Sequence, residues 1–380
     1  MSGPLSGVRV IEVASIGPGP FCAMMLADMG ADVVRVERIA SVAPDSDPPP
    51  DPLQRGRAAS IGLDLKHADG PGVLLRLLDG ADVLIEGFRP GVMERLGVGP
   101  DVCLDRNPRL VYGRMTGWGQ DGPLADRAGH DLDYLAIAGA LHPMGDPDRP
   151  PPVPLNLVAD FGGGGLLLAF GIASALVERA TSGAGQVIDA AMVEGAALLT
   201  TMFHGLRATG MWSDARGANL LDGGAPFYRA YRTADGRFMA VGAIEPKFYA
   251  DLLAGLDFDQ ADLPGQYDTA RWPEMRERFA ARFAARTRDE WVARFEGFDA
   301  CVAPVNDLGE APDDPHLTAR RAFVDVAGIT QPAPAPRFSR SGPATPDAPR
   351  PPGADTDAVL LAAGLDADEV SRLRGAGVVA

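Results

Sequence analysis

The feature that most constrains this chain is the alternation that fills its first 120 residues. Short β-branched runs are separated by stretches with helical spacing. Val8 to Val13 reads as a strand. The turn Gly17-Pro18-Gly19-Pro20 follows, then a helix through Met29, then a second apolar run from Asp32 to Val36. That order is a βαβ unit, whose crossover brings the second strand parallel to the first. Further strands are predicted at Asp82 to Glu86 and Leu110 to Met115, with helices between. The expected class is α/β, with a doubly wound parallel sheet of Rossmann-like form.

The rest of the chain changes character. Ser182 to Gly185 closes a helix, and Ile188 to Leu206 reads as one long helical stretch, rich in Ala and weak in charge. Tyr228, Tyr231 and Phe238 to Val241 have a strand-like pattern. Helices are expected again at Pro246 to Leu256 and Trp272 to Arg286, and Thr287 with Glu290 forms a capping box for another. The proline-rich segments Val42 to Pro52, Pro147 to Pro154 and Ala333 to Pro352 exclude regular helix. Asp355 to Leu373 reads as a helical hairpin. The expected organisation is a large domain from 1–186 and 330–380, linker helices over 187–224, a smaller α+β domain over 225–315 and a return linker over 316–329.

Composition narrows the function. A net charge of −16 argues against nucleic acid as a partner, because phosphate binding needs a basic surface. The longest apolar run, Leu166 to Leu176, is shorter than a membrane span, so no membrane partner is expected. Three scattered cysteines, Cys22, Cys103 and Cys301, fit neither a disulfide framework nor a zinc site, and Met1 to Gly7 lacks the character of a signal peptide. These features predict a cytoplasmic setting.

The glycine turn after the first strand fails as a dinucleotide fingerprint. Its prolines remove backbone donors, and no third glycine stands at the required spacing. Arg38, Lys66, Arg89 and Arg95 fall at or just beyond predicted strand ends, where open parallel sheets bind ligands. Together they suggest a phosphate-bearing ligand; singly, each would be an ordinary surface cation.

Three residues have the right chemistry in the right setting. His130 stands in Gly129-His130-Asp131 before an apolar helical run that Asp131 is expected to cap. A helix N-terminus disfavours the imidazolium, so this His is expected to rest neutral and able to accept a proton. Asp160 precedes four glycines, Gly162 to Gly165, and is expected at the start of a helix whose N–H groups could hold an oxyanion. The glycines suggest close approach of another backbone or a ligand. Glu245 precedes Pro246 at a third helix start. Alone, each is also consistent with a turn-bonding His or a plain cap. Met192, Met202 and Met211 are assigned to core packing, with a lining of an acyl path as the alternative.

Taken in order, several segments resemble CoA-transferase family III, and within it the α-methylacyl-CoA racemase branch. They include Ala31-Asp32-Val33-Val34, Asp82-Val83-Leu84-Ile85-Glu86, Met115-Thr116-Gly117-Trp118-Gly119-Gln120 and Gly129-His130-Asp131. Leu157-Val158-Ala159-Asp160-Phe161-Gly162, Leu221-Asp222-Gly223-Gly224-Ala225-Pro226 and Val241-Gly242-Ala243-Ile244-Glu245-Pro246 continue the match. The resemblance implies an interlocked homodimer with active sites shared between subunits. It implies His130 and Asp160 as the acid/base pair, with Glu245 supporting the His. Its CoA-contacting positions fall on Ile16, Arg38, Leu63, Asp64, Leu65, Lys66, Gly87, Phe88, Arg89, Arg95, Gly129, Asp131, Leu132, Asp133 and Tyr134. The implied activity is epimerisation beside an acyl-CoA thioester, with CoA as the substrate's handle and no metal or redox cofactor. A family III CoA-transferase using Asp160 as nucleophile is the chief alternative. A non-catalytic acyl-CoA-binding protein is another, and a nicotinamide dehydrogenase a distant one. One tension stands: a helix start favours ionised Asp160, yet a proton donor must hold its proton.

Overall fold

The computed structural model describes residues 3–42, 51–342 and 344–380. Most of the proline-rich segment from Val42 to Pro52, including Pro48, lies outside the described residues. The chain divides into two compact units. The first comprises Met1–Ala138, Pro154–Leu199 and His316–Ala380, and the second Gly139–Val153 and Thr200–Pro315.

The first unit is built on a six-stranded, wholly parallel sheet in the order β3-β2-β1-β4-β5-β6. Its strands are β1 (Arg9–Val13), β2 (Asp32–Glu37), β3 (Ala59–Gly62), β4 (Val83–Glu86), β5 (Val111–Thr116) and β6 (Gln186–Ala191). The helices interleaved with them are α1 (Pro18–Asp28), α2 (Gly70–Leu78), α3 (Val92–Arg95), α4 (Pro100–Arg106), α5 (Asp131–Ile137) and α6 (Leu167–Ser182). The order reverses between β1 and β4, which opens a crevice at the carboxyl ends of those strands.

Two strands depart from the sequence reading. β3 has no alternating pattern, because all four of its residues are buried. β6 replaces the first part of the helix expected from Ile188. Its register against β5 is complete, Val111 to Gln186 through Thr116 to Ala191, and this pairing outweighs the helix preference of its alanines. The remainder of that stretch is two helices, α7 (Met192–Leu199) and α8 (Thr201–Ala208). Residues 186–199 therefore pack within the first unit instead of forming a linker. The turn Gly17 to Pro20 also differs. Pro18 and Pro20 lie inside the first turn of α1, where the missing N–H groups cost no helix bond.

One face of the sheet packs Ile11, Val34, Ile61, Leu84 and Tyr112 against α2 and the C-terminal helices α13 and α14, described below. On the other face Gly113 admits Leu168 and Ile172 of α6. Before α6 the chain runs as a π-helix, Leu157–Leu166. The combined helix Leu157–Ser182 is long and apolar enough to cross a membrane by length and composition, which corrects the reading that the longest apolar run, Leu166 to Leu176, falls short of a membrane span. Leu168, Ala169 and Ile172 are buried, as a helix layered on a sheet requires.

The four glycines have a steric role. A Cβ at Gly163 would meet the backbone of Gly195 and Ala196 in α7 at 2.7 Å, and one at Gly195 would land on the Gly163 carbonyl. A Cβ at Gly165 would stand 2.6 Å from the Pro18 carbonyl of α1. Two helices thus touch the π-helix backbone to backbone.

Beneath the sheet's ligand end lies a buried ionic network. Glu12, fully buried, accepts from Arg35 Nη1 and from Arg57 Nε at 2.8 Å. Arg57 Nη2 donates to the Pro20 carbonyl at 2.9 Å, and Arg35 Nε to Glu37. β1, β2, the approach to β3 and the start of α1 are tied through one carboxylate.

The second unit carries an antiparallel sheet, β7 (Tyr228–Arg232), β8 (Phe238–Gly242) and β9 (Val302–Pro304). It packs on α9 (Pro246–Gly255), α10 (Trp272–Phe283) and α11 (Arg288–Phe295) through Tyr231, Met239, Phe279, Phe283 and Trp291. The expected capping box forms: Thr287 accepts from the Glu290 N–H and Glu290 from the Thr287 N–H. The chain returns through α12 (Pro315–Ala319) and a hairpin, β10 (Phe323–Val326) with β11 (Ile329–Pro332). It ends in the helices α13 (Thr356–Ala362) and α14 (Ala367–Gly375), where the helical hairpin was expected.

Arg57→Ala leaves Glu12 buried with half its partners, and the expected loss is about 3–5 kcal/mol in urea unfolding. Gly195→Ala forces two helices apart and is expected to cost about 1–3 kcal/mol by the same measurement.

Candidate active site

The β1–α1 turn, the loop after β4 and the loop after β5 converge on one cavity of about 530 Å³. Ser15 to Gly19, Gly87 to Pro90 and Met115 to Trp118 form three of its walls. The segment Ala125 to His130, with Tyr134, Asn156, Asp160 and Met192, completes it. His130 and Asp160, 30 residues apart in sequence, therefore face one space.

His130 is the N-cap of α5, and its own N–H is taken by the Asp133 carboxylate at 3.0 Å. Its imidazole lines the cavity, where a ligand can reach it. Tyr134 holds the preceding residue by donating to the Gly129 carbonyl, and its ring packs edge-on against Trp118 with centroids 4.8 Å apart. Gly117 must lack a side chain, because a Cβ there would strike the Tyr134 ring.

Asp160 is not the N-cap that its sequence setting suggests. It lies inside the first turn of the π-helix. Phe161 beside it stacks on Phe21 of α1, centroids 4.7 Å apart. Its Oδ2 would stand 3.6 Å from a Cβ at Gly17, so the carboxyl looks toward the β1–α1 turn. Burial holds this carboxyl above its ordinary range, and the Asp131 charge adds to the effect; the Asn156 side chain and His130 oppose it. Desolvation, the largest influence, thus works against the ionised form that a helix start would favour.

Asp131 was expected to touch CoA and to cap α5. Instead it is buried at the first position of α5, and its Oδ2 accepts from the N–H groups of Ala159 and Asp160 at 2.8 and 2.7 Å. That also corrects the expected oxyanion site. The Asp160 N–H is spent on Asp131, and the Phe161 N–H on the Asn156 carbonyl. The N–H groups of Asp131 and Leu132 at the start of α5 have no hydrogen-bond acceptor among the described residues.

A second cavity of about 550 Å³ opens at the ends of β1, β2 and β3. Glu37 to Ala40 and Leu63 to Lys66 line it, together with Phe88, Val92 and Leu96. The Arg38 guanidinium lies over the Phe88 ring, 5.8 Å from its centroid. Phe88 belongs to both cavities and joins them. Its loop is set by a feature that sequence reading missed. Glu86, buried at the end of β4, accepts from the Phe88 N–H at 2.7 Å and pairs with Arg114, which also holds Glu94. The signal was an acidic residue in an otherwise apolar strand, which must find a partner to be buried.

Most of the expected ligand positions fall on these two cavities. Ile16, Gly87, Phe88, Arg89, Gly129 and Tyr134 line the first; Arg38, Leu63, Asp64, Leu65, Lys66 and again Phe88 line the second. Arg95, Leu132 and Asp133 line neither, because α3 and α5 turn them outward to solvent. Glu245 is the exposed N-cap of α9 in the second unit. Met192 is buried and lines the first cavity, whereas Met202 and Met211 are 54% and 67% exposed, so core packing is not their role in this chain. Among the described residues no group of three or more His, Cys, Asp or Glu could hold a metal ion.

Known proteins resemble this chain along nearly its whole length. The α-methylacyl-CoA racemase of Mus musculus is 49% identical over 378 residues, covering 99% of this chain and 97% of its own. The α-methylacyl-CoA racemase of Homo sapiens is 46% identical over the same coverage. The crystal structure of a CAIB/BAIF family protein from Brucella suis superposes with a TM-score of 0.81 at 25% identity, covering 96% of this chain and 100% of that one. Residues 5–356 match the domain described as CoA-transferase family III, and the chain belongs to that family.

Proposed function

We propose that this protein interconverts the 2R and 2S forms of 2-methylacyl-CoA thioesters by proton transfer at the α-carbon. One observation carries the reading: an imidazole and a carboxyl whose ionisation is opposed by burial line the same cavity. An α-hydrogen beside a thioester is weakly acidic, so its removal needs a placed base and a site for the enolate oxygen. Inversion needs a donor on the opposite face. In one direction His130 takes the proton and Asp160 delivers another; in the reverse direction the roles exchange. The unspent N–H groups of Asp131 and Leu132 hold the enolate oxygen. CoA's nucleotide end lies in the cavity of Arg38 and Lys66, and its thiol arm passes Phe88. The reaction as written uses no cofactor beyond the CoA of the substrate. The two racemase relatives, at 49% and 46% identity, support this reading.

We place Glu245 as the support of the His130 imidazole, supplied by a second copy of the chain in a homodimer. Exposed apolar side chains in the first unit support such a partner. Phe170 and Val177 on α6 are 68% and 73% exposed, and Leu198 and Leu199 at the end of α7 are 58% and 53% exposed. Cys22 and Cys103 are buried free thiols whose ionisation burial suppresses, which suits a reducing cytoplasm.

The rival is acyl transfer through a covalent Asp160 intermediate, in which His130 has no task. Incubation of one enantiomer of a 2-methylacyl-CoA in heavy water separates them. Racemisation with deuterium entering the α-carbon is expected. CoA passing to an added carboxylate without exchange would overturn the reading.

Asp160→Asn is expected to lower exchange of the enantiomer whose proton faces Asp160 by about a hundredfold or more. It also has a signature in stability. Because the folded carboxyl titrates above its ordinary 3.8, its contribution to folding is fully present below that value. It is lost as pH rises through the folded value. The Asn variant should therefore melt higher than the parent at pH 7 and equally near pH 3. Equal melting at both pH values would show that Asp160 titrates normally.

A further inference from the structure

Helix-opening N–H groups have no acceptor within their own helix and are ordinarily satisfied by a cap residue close in sequence. The π-helix that carries Asp160 is satisfied differently. Asn156, at its N-cap, makes no side-chain cap bond. The N–H groups of Ala159 and Asp160 instead converge on one oxygen of Asp131, 28 and 29 residues earlier in the chain. Asp131 follows His130 directly. Its other oxygen, Oδ1, is buried and has no hydrogen-bond partner among the described residues. Asp131 is 5% exposed, so the cavity ligand does not explain its carboxylate.

We infer that Asp131 is a positioning residue for proton transfer, locking the backbone that carries Asp160 to the backbone that carries His130 so that the two move as one body. The inference rests on the racemase reading and deepens it. A two-base reaction at a single carbon tolerates little drift between its bases, since a displacement of about 1 Å costs up to a hundredfold in rate. A clamp made by the residue next to one base, on the N–H of the other, is the shortest link the chain can make.

The same carboxylate has an electrostatic consequence. The groups that bear on Asp160 are His130, Asp131 and Tyr134 from the α5 segment and Asn156 from its own, with Arg89 and Arg127 lining the shared cavity. Of these, Asp131 opposes ionisation of Asp160, while Asn156 and His130 favour it. Tyr134 is held neutral, its phenol pushed up to about 12 by burial first and by Asp160 second. Asp131 thus fixes the place of Asp160 and also weakens it as an acid, which a donor requires.

Asp131→Asn separates clamp from charge, because the amide oxygen still accepts both N–H bonds. The full-length variant is assayed for α-deuterium incorporation into each enantiomer of a 2-methylacyl-CoA across pH. The limb that reports Asp160 is expected to move down by roughly one pH unit. Away from that limb the turnover number of Asp131→Asn should stay within about twofold of the unmodified protein, because both N–H bonds are kept, whereas in Asp131→Ala it should fall while KM stays within about twofold, since the clamp acts on the reacting geometry and not on CoA. A role confined to stability would leave that limb where it is. Asp131→Ala removes clamp and charge and should lose about tenfold more turnover. Wild-type turnover in Asp131→Ala would overturn the inference. Should neither variant fold, amide hydrogen exchange of the unmodified protein decides. Strong protection of the Ala159 and Asp160 amides supports the clamp, and exchange at the rate of a free turn overturns it. Absence of α-deuteration in the unmodified protein would instead refute the racemase reading, with the amide measurement still reporting on the clamp.

Discussion

The ligand end of the sheet depends on Glu12. A carboxylate on a central strand, closed off from water, is stable only when each oxygen has a partner. Here Arg35 comes from the neighbouring strand and Arg57 from the chain entering β3. Arg57 reaches further, to the Pro20 carbonyl, and so fixes the first turn of α1. That turn touches the glycine-rich π-helix at Gly165, and Phe21 stacks on Phe161 beside Asp160. A line of contacts thus runs from a buried ion pair beneath the sheet to the carboxyl proposed to carry the proton. Glu86 repeats the device one strand away, setting the Phe88 loop that joins the two cavities.

The two proposed bases reach their settings by different routes. His130 projects from a helix start whose backbone is tied down on both sides, by Asp133 after it and Tyr134 on the residue before it. Its ring lines the cavity. Asp160 sits in a stretch of helix whose wider turn and missing side chains let two other helices come within backbone contact. Dense packing removes water from one side of the carboxyl, and that burial is the larger reason it resists ionisation. A residue in an ordinary helix N-cap would have met the opposite field.

Much of this was legible in the sequence. The β1–α1–β2 unit, β4, β5, the hairpin of the second unit and the Thr287 capping box all follow from local periodicity and turn chemistry, which act over a few residues. β3 and β6 were not legible. A fully buried strand loses its alternation, and the helix preference of the alanines in β6 yields to pairing with β5. At the site, residue types and strand-end positions pointed to His130, Asp160, Arg38 and Lys66. The role of Asp131 was hidden, because its partners lie 28 and 29 residues away and nothing local marks a side chain that caps a distant helix. The oxyanion site was misplaced for the same reason: a free N–H can be counted only when its acceptor is known.

The central claim is that two different residues each serve one face of the α-carbon. Enantiomer-resolved deuterium exchange in Asp160→Asn and His130→Asn tests it most directly. The account predicts reciprocal behaviour, with Asp160→Asn still exchanging the enantiomer whose proton faces His130, and His130→Asn exchanging only the other. If one variant exchanged both enantiomers and the other neither, a single base would be doing the chemistry and the account would be wrong.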